Sequence, residues 1–287
     1  MTPNNSSKES SASVGKTIQP SSQAEMDRAL AVLTAQKDVW AKMDIHGRIA
    51  LLDQIKQDLP KVEKRWVEAG LAAKGGVTKT MAEGEEWYSV TVTYRTIRFL
   101  RNALQDIIQY GKPKIHGKVT TRSNGQVVAQ VVPYDLKEAL ALPGMHAEVW
   151  MDPSVSLKDG GIPQASFYHN LDKKGQVCLV LGAGNVSGLI SGDFMYKLFV
   201  EGQVVALKMN PVNEYLGPIL KEGFKALINA GFLQILHGGA QEGTYLCNHA
   251  AVDTVHMTGS DRTFNAIVFG AGEEGDRKST RLNSSHH

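Results

Sequence analysis

Cysteine is scarce in this chain. There are two in 287 residues, Cys178 inside an apolar run and Cys247 in a helical pattern. So few thiols exclude a disulfide framework or a cysteine-rich zinc cluster; both read as core residues rather than nucleophiles, and the expected setting is reducing and cytoplasmic. A surplus of charge is missing too. The 31 basic and 29 acidic residues leave +2, too balanced to form an electrostatic footprint for nucleic acid or an anionic membrane. No window supplies the ~20 consecutive apolar residues that a bilayer span requires, and the opening residues lack the apolar core of a secretory signal. Metal-ligand spacing is absent as well. His237, His249 and His256 recur near strand ends without a pattern such as H-E-x-x-H, and Glu83, Glu85 and Glu86 have no His or Cys beside them. No metal is expected.

What is present is a chain of 42% apolar and 21% charged residues, enough for a sizeable core. Residues 1–24 are rich in Ser, Asn and Gln and read as a disordered tail. Helical periodicity follows. Ser22 and Glu25 have capping-box spacing ahead of Met26, Leu30, Leu33 and Trp40. Further apolar faces run through Ile45, Ile49, Leu52, Ile55 and Leu59, then Val62, Trp66 and Ala69, with Gly75 and Gly76 as a stop. A fourth helix is predicted over Met81–Tyr110, ended by Gly111.

The period then changes. Alternating runs on either side of Asn124 and Gly125 predict a β-hairpin over 117–134 closed by a two-residue turn, because both residues tolerate positive φ. A two-stranded ribbon is unstable alone and must pack on something, another subunit being one candidate. Residues 136–175 carry no assignable pattern. From 177 onward strands and helices alternate: strand 177–181, helix 188–201, strand 203–208, helix 214–230, strand 232–237, helix 240–249, strand 252–257, and the start of a helix near Arg262. Continuous Val/Ile/Leu strands between helices predict an α/β, Rossmann-like parallel sheet covered on both faces.

The segment 276–287 has a different character. It matches one reading frame of a sequencing adapter and is read as a processing scar; without its three basic and one acidic residues the chain holds 28 of each sign.

Gly182 and Gly184 directly follow the first parallel strand, with Gly188 near the next helix start. Such glycines let backbone approach a ligand, and free N–H groups at a helix start attract anions. Alone, this spacing is a weak signal. A standard dinucleotide fold would end its second strand in Asp or Glu to hold the ribose; here Lys208 stands at that place. This series, with Gly239, Gly243 and the run Thr258, Gly259, Ser260 at the ends of the next two strands, resembles the aldehyde dehydrogenase superfamily over its N-terminal, cofactor-binding part. The resemblance is specific over residues 175–270.

The resemblance implies roles. Asn185 would stabilise an oxyanion through its amide, a catalytic role. Gly182, Gly184, Lys208, Gly239, Gly243, Thr258, Gly259 and Ser260 would bind the cofactor, NAD or NADP, with Lys208 at the adenosine ribose. The hairpin would be an oligomerisation ribbon of a truncated NAD(P)-binding domain over 25–275. There are departures: Gly184, Val186 and Ser187 replace the family's aromatic and Pro positions, and Pro211 replaces its usual acidic residue, with Glu214 as a possible substitute. The family's reactive Cys and general-base Glu lie beyond the Thr-Gly-Ser element, and this chain carries neither. The resemblance therefore implies a fragment, itself inactive. The complete protein would take an aldehyde to an acid or acyl product through a Cys thiohemiacetal, as a homo-oligomer. Two alternatives stay open: a non-catalytic binding or oligomerisation module, and a conventional Rossmann reductase using Gly182 and Gly184.

Overall fold

A computed structural model describes residues 18–76, 80–158, 161–270 and 272. The described chain divides into two compact units: Phe99–Asp172, and the residues on either side of that stretch.

The larger unit begins with four helices, α1 (Gln23–Lys42), α2 (Ile45–Asp58), α3 (Glu63–Ala73) and α4 (Thr80–Tyr110), the last continuing past the unit boundary. The capping box forms as the spacing requires. The Glu25 N–H donates to Ser22 Oγ at 3.3 Å and the Ser22 N–H to the Glu25 carboxylate at 2.7 Å. Residues 1–17 of the expected disordered tail lie outside the described residues, and residues 18–22, expected to lie in that tail, are placed ahead of the capping box. The reason lies across the fold: the Ser21 N–H donates to the His237 carbonyl, and the His237 N–H to Ser21 Oγ, each at 3.0 Å.

In the smaller unit β1 (Val119–Thr121), β2 (Val127–Val132) and β3 (Ala147–Trp150) form an antiparallel meander, with α5 (Leu136–Ala141) and α6 (Ser166–His169) beside them in sequence. The hairpin is present but its turn is not the expected two-residue one. Arg122 pairs with Gln126, and Gly125 alone takes positive φ, at 86°. Asn124 instead accepts the Gln126 N–H on its side chain at 3.1 Å, the local bond that makes Asn a turn former without left-handed geometry. β3 was not legible, because its three exposed residues break the alternation a strand should show.

The larger unit resumes with β4 (Val177–Leu181), α7 (Ser187–Phe199), β5 (Val204–Lys208), a 3-10 turn over Pro211–Leu216, α8 (Gly217–Gly223), α9 (Lys225–Asn229), β6 (Leu233–Leu236), α10 (Ala240–Cys247), β7 (Thr254–Met257) and α11 (Asp261–Phe269). The strands form a parallel sheet in the order β6-β5-β4-β7. β5 is buried along its whole length and β4 along all but its last residue, as strands covered on both faces must be. The single helix expected over 214–230 is broken into three pieces. Gly217, Pro218 and Gly223 are poor interior helix residues, and two of them serve packing: a side-chain carbon added at Gly217 would lie 2.2 Å from the His237 ring, and one at Gly223 3.1 Å from the Leu59 and Val62 methyls.

The core packs around Trp40, whose ring meets Phe199 at 5.4 Å and Phe232 at 4.8 Å. Arg48, fully buried, lies over the same ring at 4.1 Å and donates to the carbonyls of Trp40, Met43 and Leu198. It thereby adds to the donors already at the C-terminal ends of α1 and α7, where Trp40 Nε1 and the Gly202 N–H reach the Leu198 carbonyl and the Met43 N–H reaches that of Trp40.

Candidate functional site

Register fixes where the site lies. Leu181 pairs with Lys208 and with Met257, and Lys208 pairs with Leu236. The four strands therefore end in one row, and every segment singled out by its sequence leaves the sheet from that row. β5 and β6 extend the sheet to one side of β4 and β7 to the other, so the strand order reverses between β4 and β7. Parallel α/β sheets form their ligand crevice outside the carboxyl ends of the strands, at such a reversal.

The loop after β4 is held by β5. The Gly182 N–H donates to the Lys208 carbonyl at 2.9 Å, and Asn213 Nδ2 to the Ala183 carbonyl at 3.1 Å. A side-chain carbon at Gly184 would meet Asn210 at 2.9 Å, so the glycine there admits Asn210, which also caps the 3-10 turn through Val212. Asn185 follows, exposed, with no side-chain hydrogen bond among the described residues. Gly188 has a different function from the anion site its spacing hinted at. A carbon added there would lie 2.9 Å from the Ser89 carbonyl and 3.0 Å from its Cα. Gly188 brings α7 against α4, where Thr93 and Ser191 share a hydroxyl contact of 2.7 Å.

After β6 the loop opens. Gly239 would meet only the Glu242 carboxylate, at 3.9 Å, and Gly243 nothing within 4 Å. Gly238, at φ 135°, is tight instead: an added carbon would lie 2.5 Å from the Glu242 side chain, which folds back so that the Gly239 N–H donates to its carboxylate at 2.6 Å. Beside this loop Lys208 is 8% exposed and its ammonium has no hydrogen bond or ion pair among the described residues. Burial pulls its pKa below the usual lysine range, and the charge of Glu242, then Cys247 and Glu214, works against that pull. His237, at the end of β6, is held neutral. Burial first, and the Lys221 charge second, push its pKa down to about 4.

After β7, Ser260 caps α11 by accepting the Thr263 N–H, and Thr258 donates to Asp193 of α7 at 2.8 Å. His256 Nε2 lies 3.3 Å from the other Asp193 oxygen, out of line for a hydrogen bond. Gly259 meets only the flexible end of Met257, at 3.1 Å. The structure thus gathers Gly182, Gly184, Asn185, Lys208, Gly239, Gly243, Thr258, Gly259 and Ser260 at one edge of one sheet. Sequence reading missed Asn210, Asn213, Asp193 and the fold-back of Glu242. Only Glu242 left a signal, three residues after Gly239 in capping position. Neither cysteine is poised for attack: burial pushes the thiols of Cys178 and Cys247 up, the Lys208 charge opposing this at Cys247. No cluster of three or more His, Cys, Asp or Glu able to hold a metal occurs among the described residues, and no described helix is long and apolar enough to cross a membrane.

No protein-family model matches the chain. It is similar to 4-trimethylaminobutyraldehyde dehydrogenase A of Danio rerio, 27% identical over 177 residues, covering 61% of this chain and 32% of that protein. It is also similar to 4-trimethylaminobutyraldehyde dehydrogenase of Oryzias latipes, 30% identical over 108 residues, 37% of this chain and 21% of that protein. The chain spans a third or less of these relatives. Among solved structures it shares its fold with an NAD-dependent benzaldehyde dehydrogenase from Corynebacterium glutamicum (TM-score 0.52, 16% identity, 85% of this chain and 42% of that one) and a salicylaldehyde dehydrogenase from Pseudomonas putida G7 complexed with salicylaldehyde (TM-score 0.53, 12% identity, 90% and 42%). The chain is thus similar to part of the aldehyde dehydrogenases in sequence, and its parallel sheet with flanking helices is their fold.

Proposed function

We propose that this chain is the dinucleotide-binding part of an NAD(P)-dependent, aldehyde dehydrogenase-like oxidoreductase. One observation carries the reading: a single row of strand ends sets open glycine positions at 239 and 243 beside Lys208, a buried residue whose ammonium has no partner among the described residues. In this reading Lys208 donates to the adenosine ribose. The start of α10 at Gly239 faces the diphosphate, Gly243 within the helix leaves room beside it, and Thr258, Gly259 and Ser260 flank it from the other side of the strand reversal. Gly182 and Gly184 keep the β4 loop low against β5, which leaves the crevice open above it. The nicotinamide, when bound, supplies the hydride acceptor. The Asn185 amide, exposed and unengaged, is free to donate to an oxyanion developing on an aldehyde carbon.

The nucleophile is the missing part. A reactive cysteine needs a lowered thiol pKa and partial exposure, and burial has moved both thiols of this chain the other way. The chain therefore binds cofactor without oxidising aldehydes. In the complete protein an added thiol and base would carry an aldehyde to an acid or acyl product, with NAD or NADP as the acceptor. The reading of a non-catalytic oligomerisation module draws on a separate observation: Val149 and Trp150, neighbours on β3 and so on opposite faces of the three-stranded sheet, are both exposed, apolar side chains that a second copy of the chain could cover.

Titration of the purified chain with NADH and with NADPH, followed by cofactor fluorescence, tests the site. A saturable change with at least one of them, weakened in Lys208→Met, is the expected result. Absence of any response at millimolar cofactor overturns the reading.

A further inference from the structure

The loop after β6 already holds an anion of its own. The Glu242 side chain turns back over Gly238 and takes the Gly239 N–H at 2.6 Å, and Gly238 is the residue that permits this, since any side-chain carbon there would collide with Glu242 at 2.5 Å. The same carboxylate is, after burial, the strongest influence on Lys208, a residue 8% exposed whose ammonium has no hydrogen bond or ion pair among the described residues. The Gly239 N–H, which would face the ligand diphosphate, is thus already taken by an acidic side chain of the protein.

We propose that Glu242 is a specificity-determining residue of this site. Its carboxylate occupies the place of a phosphate and sets the affinity for diphosphate-bearing nucleotides low, while leaving the nucleoside part of the site unaffected. The proposal rests on the cofactor-site reading above. Two negative charges a few ångströms apart at a partly buried site repel strongly, so a diphosphate enters only when the carboxylate swings out and surrenders its hydrogen bond. Glu242→Gln keeps a side chain able to accept the Gly239 N–H, as Gln does in capping boxes, and removes the charge.

The test is equilibrium binding of ADP and of adenosine to the full chain, to Glu242→Gln and to Glu242→Ala, with thermal unfolding as the check on folding. Glu242→Gln is expected to bind ADP about tenfold tighter than the parent chain, the effect of removing roughly one close like-charge contact, with adenosine affinity unchanged. Glu242→Ala, which loses the cap as well as the charge, is expected to show the same gain. Unchanged or weaker ADP binding by both variants, with adenosine still bound, overturns the role of Glu242 alone. Equal tightening of ADP and adenosine overturns it too, since charge would not be the cause. Failure of all three proteins to bind either compound at millimolar concentration overturns the cofactor site itself, and the proposal with it.

Discussion

The Thr258 hydroxyl donates to the Asp193 carboxylate at 2.8 Å, tying the loop that leaves β7 to the middle of α7. The two residues are 65 positions apart and come from elements on either side of the strand reversal, so this one bond spans the floor of the candidate crevice. Replacing Thr258 by Val keeps the branched shape and removes the donor. A hydrogen bond to a charged, partly buried acceptor contributes about 1.5 kcal/mol, and Thr258→Val is expected to lose that much in urea unfolding while Thr258→Ser loses little. Amide exchange at residues 258–260 should quicken in the valine variant only. Equal stability of the two variants would show that the contact does not hold the loop.

That contact also marks the limit of what the sequence discloses. Val177–Leu181 was legible to the residue, because a strand buried on both faces is a continuous apolar run between turn signals, and α4 was legible to within one residue at its start. The place of the candidate site was readable in the same way, as the row where four strands end. What holds the site was not: Asp193 under Thr258, Asn210 under Gly184 and Asn213 on Ala183 are polar residues in helix or turn positions, and nothing local separates them from solvated ones. The broken helix after β5 did leave a local signal, Gly217 beside Pro218 with Gly223 further on, but what those glycines are for did not show. Gly217 and Gly223 exchange helix continuity for contacts with His237 and Leu59 that only the folded chain supplies.

Gly188 and Gly192 share one helix and give opposite expectations. At Gly188 an added carbon meets the Ser89 backbone at 2.9 Å, and backbone cannot turn aside, so α7 and α4 must separate. At Gly192 nothing lies within 4 Å. Gly188→Ala is expected to cost about 2 kcal/mol, as overpacking does, and Gly192→Ala to gain about 0.5 kcal/mol from helix propensity. Denaturant unfolding of the pair decides it. A neutral Gly188→Ala would mean that the two helices are not in close contact, and would return this glycine to the list of candidate phosphate contacts.

His237 makes stability depend on acidity in a defined direction. Buried at the end of β6 against Gly217, with its Nδ1 lacking a hydrogen-bond partner, its pKa in the fold is about 4 against an ordinary 6.5. The unfolded chain therefore binds a proton that the folded chain refuses between those two values, and stability falls as pH drops through that window. Above about pH 6.5 nothing is lost, and by pH 4 the loss reaches about 3 kcal/mol. Carboxylates titrate toward the lower end of the same range, so the comparison with His237→Gln is what isolates the imidazole. Loss of ring packing lowers the variant's stability at every pH and does not change its slope. Loss of the titrating group removes about 1.4 kcal/mol per pH unit from the slope in the middle of the window. Guanidinium unfolding at half-unit steps from pH 4 to 7.5 reads both quantities, and parallel curves for the two proteins would place the imidazole in solvent rather than in the core.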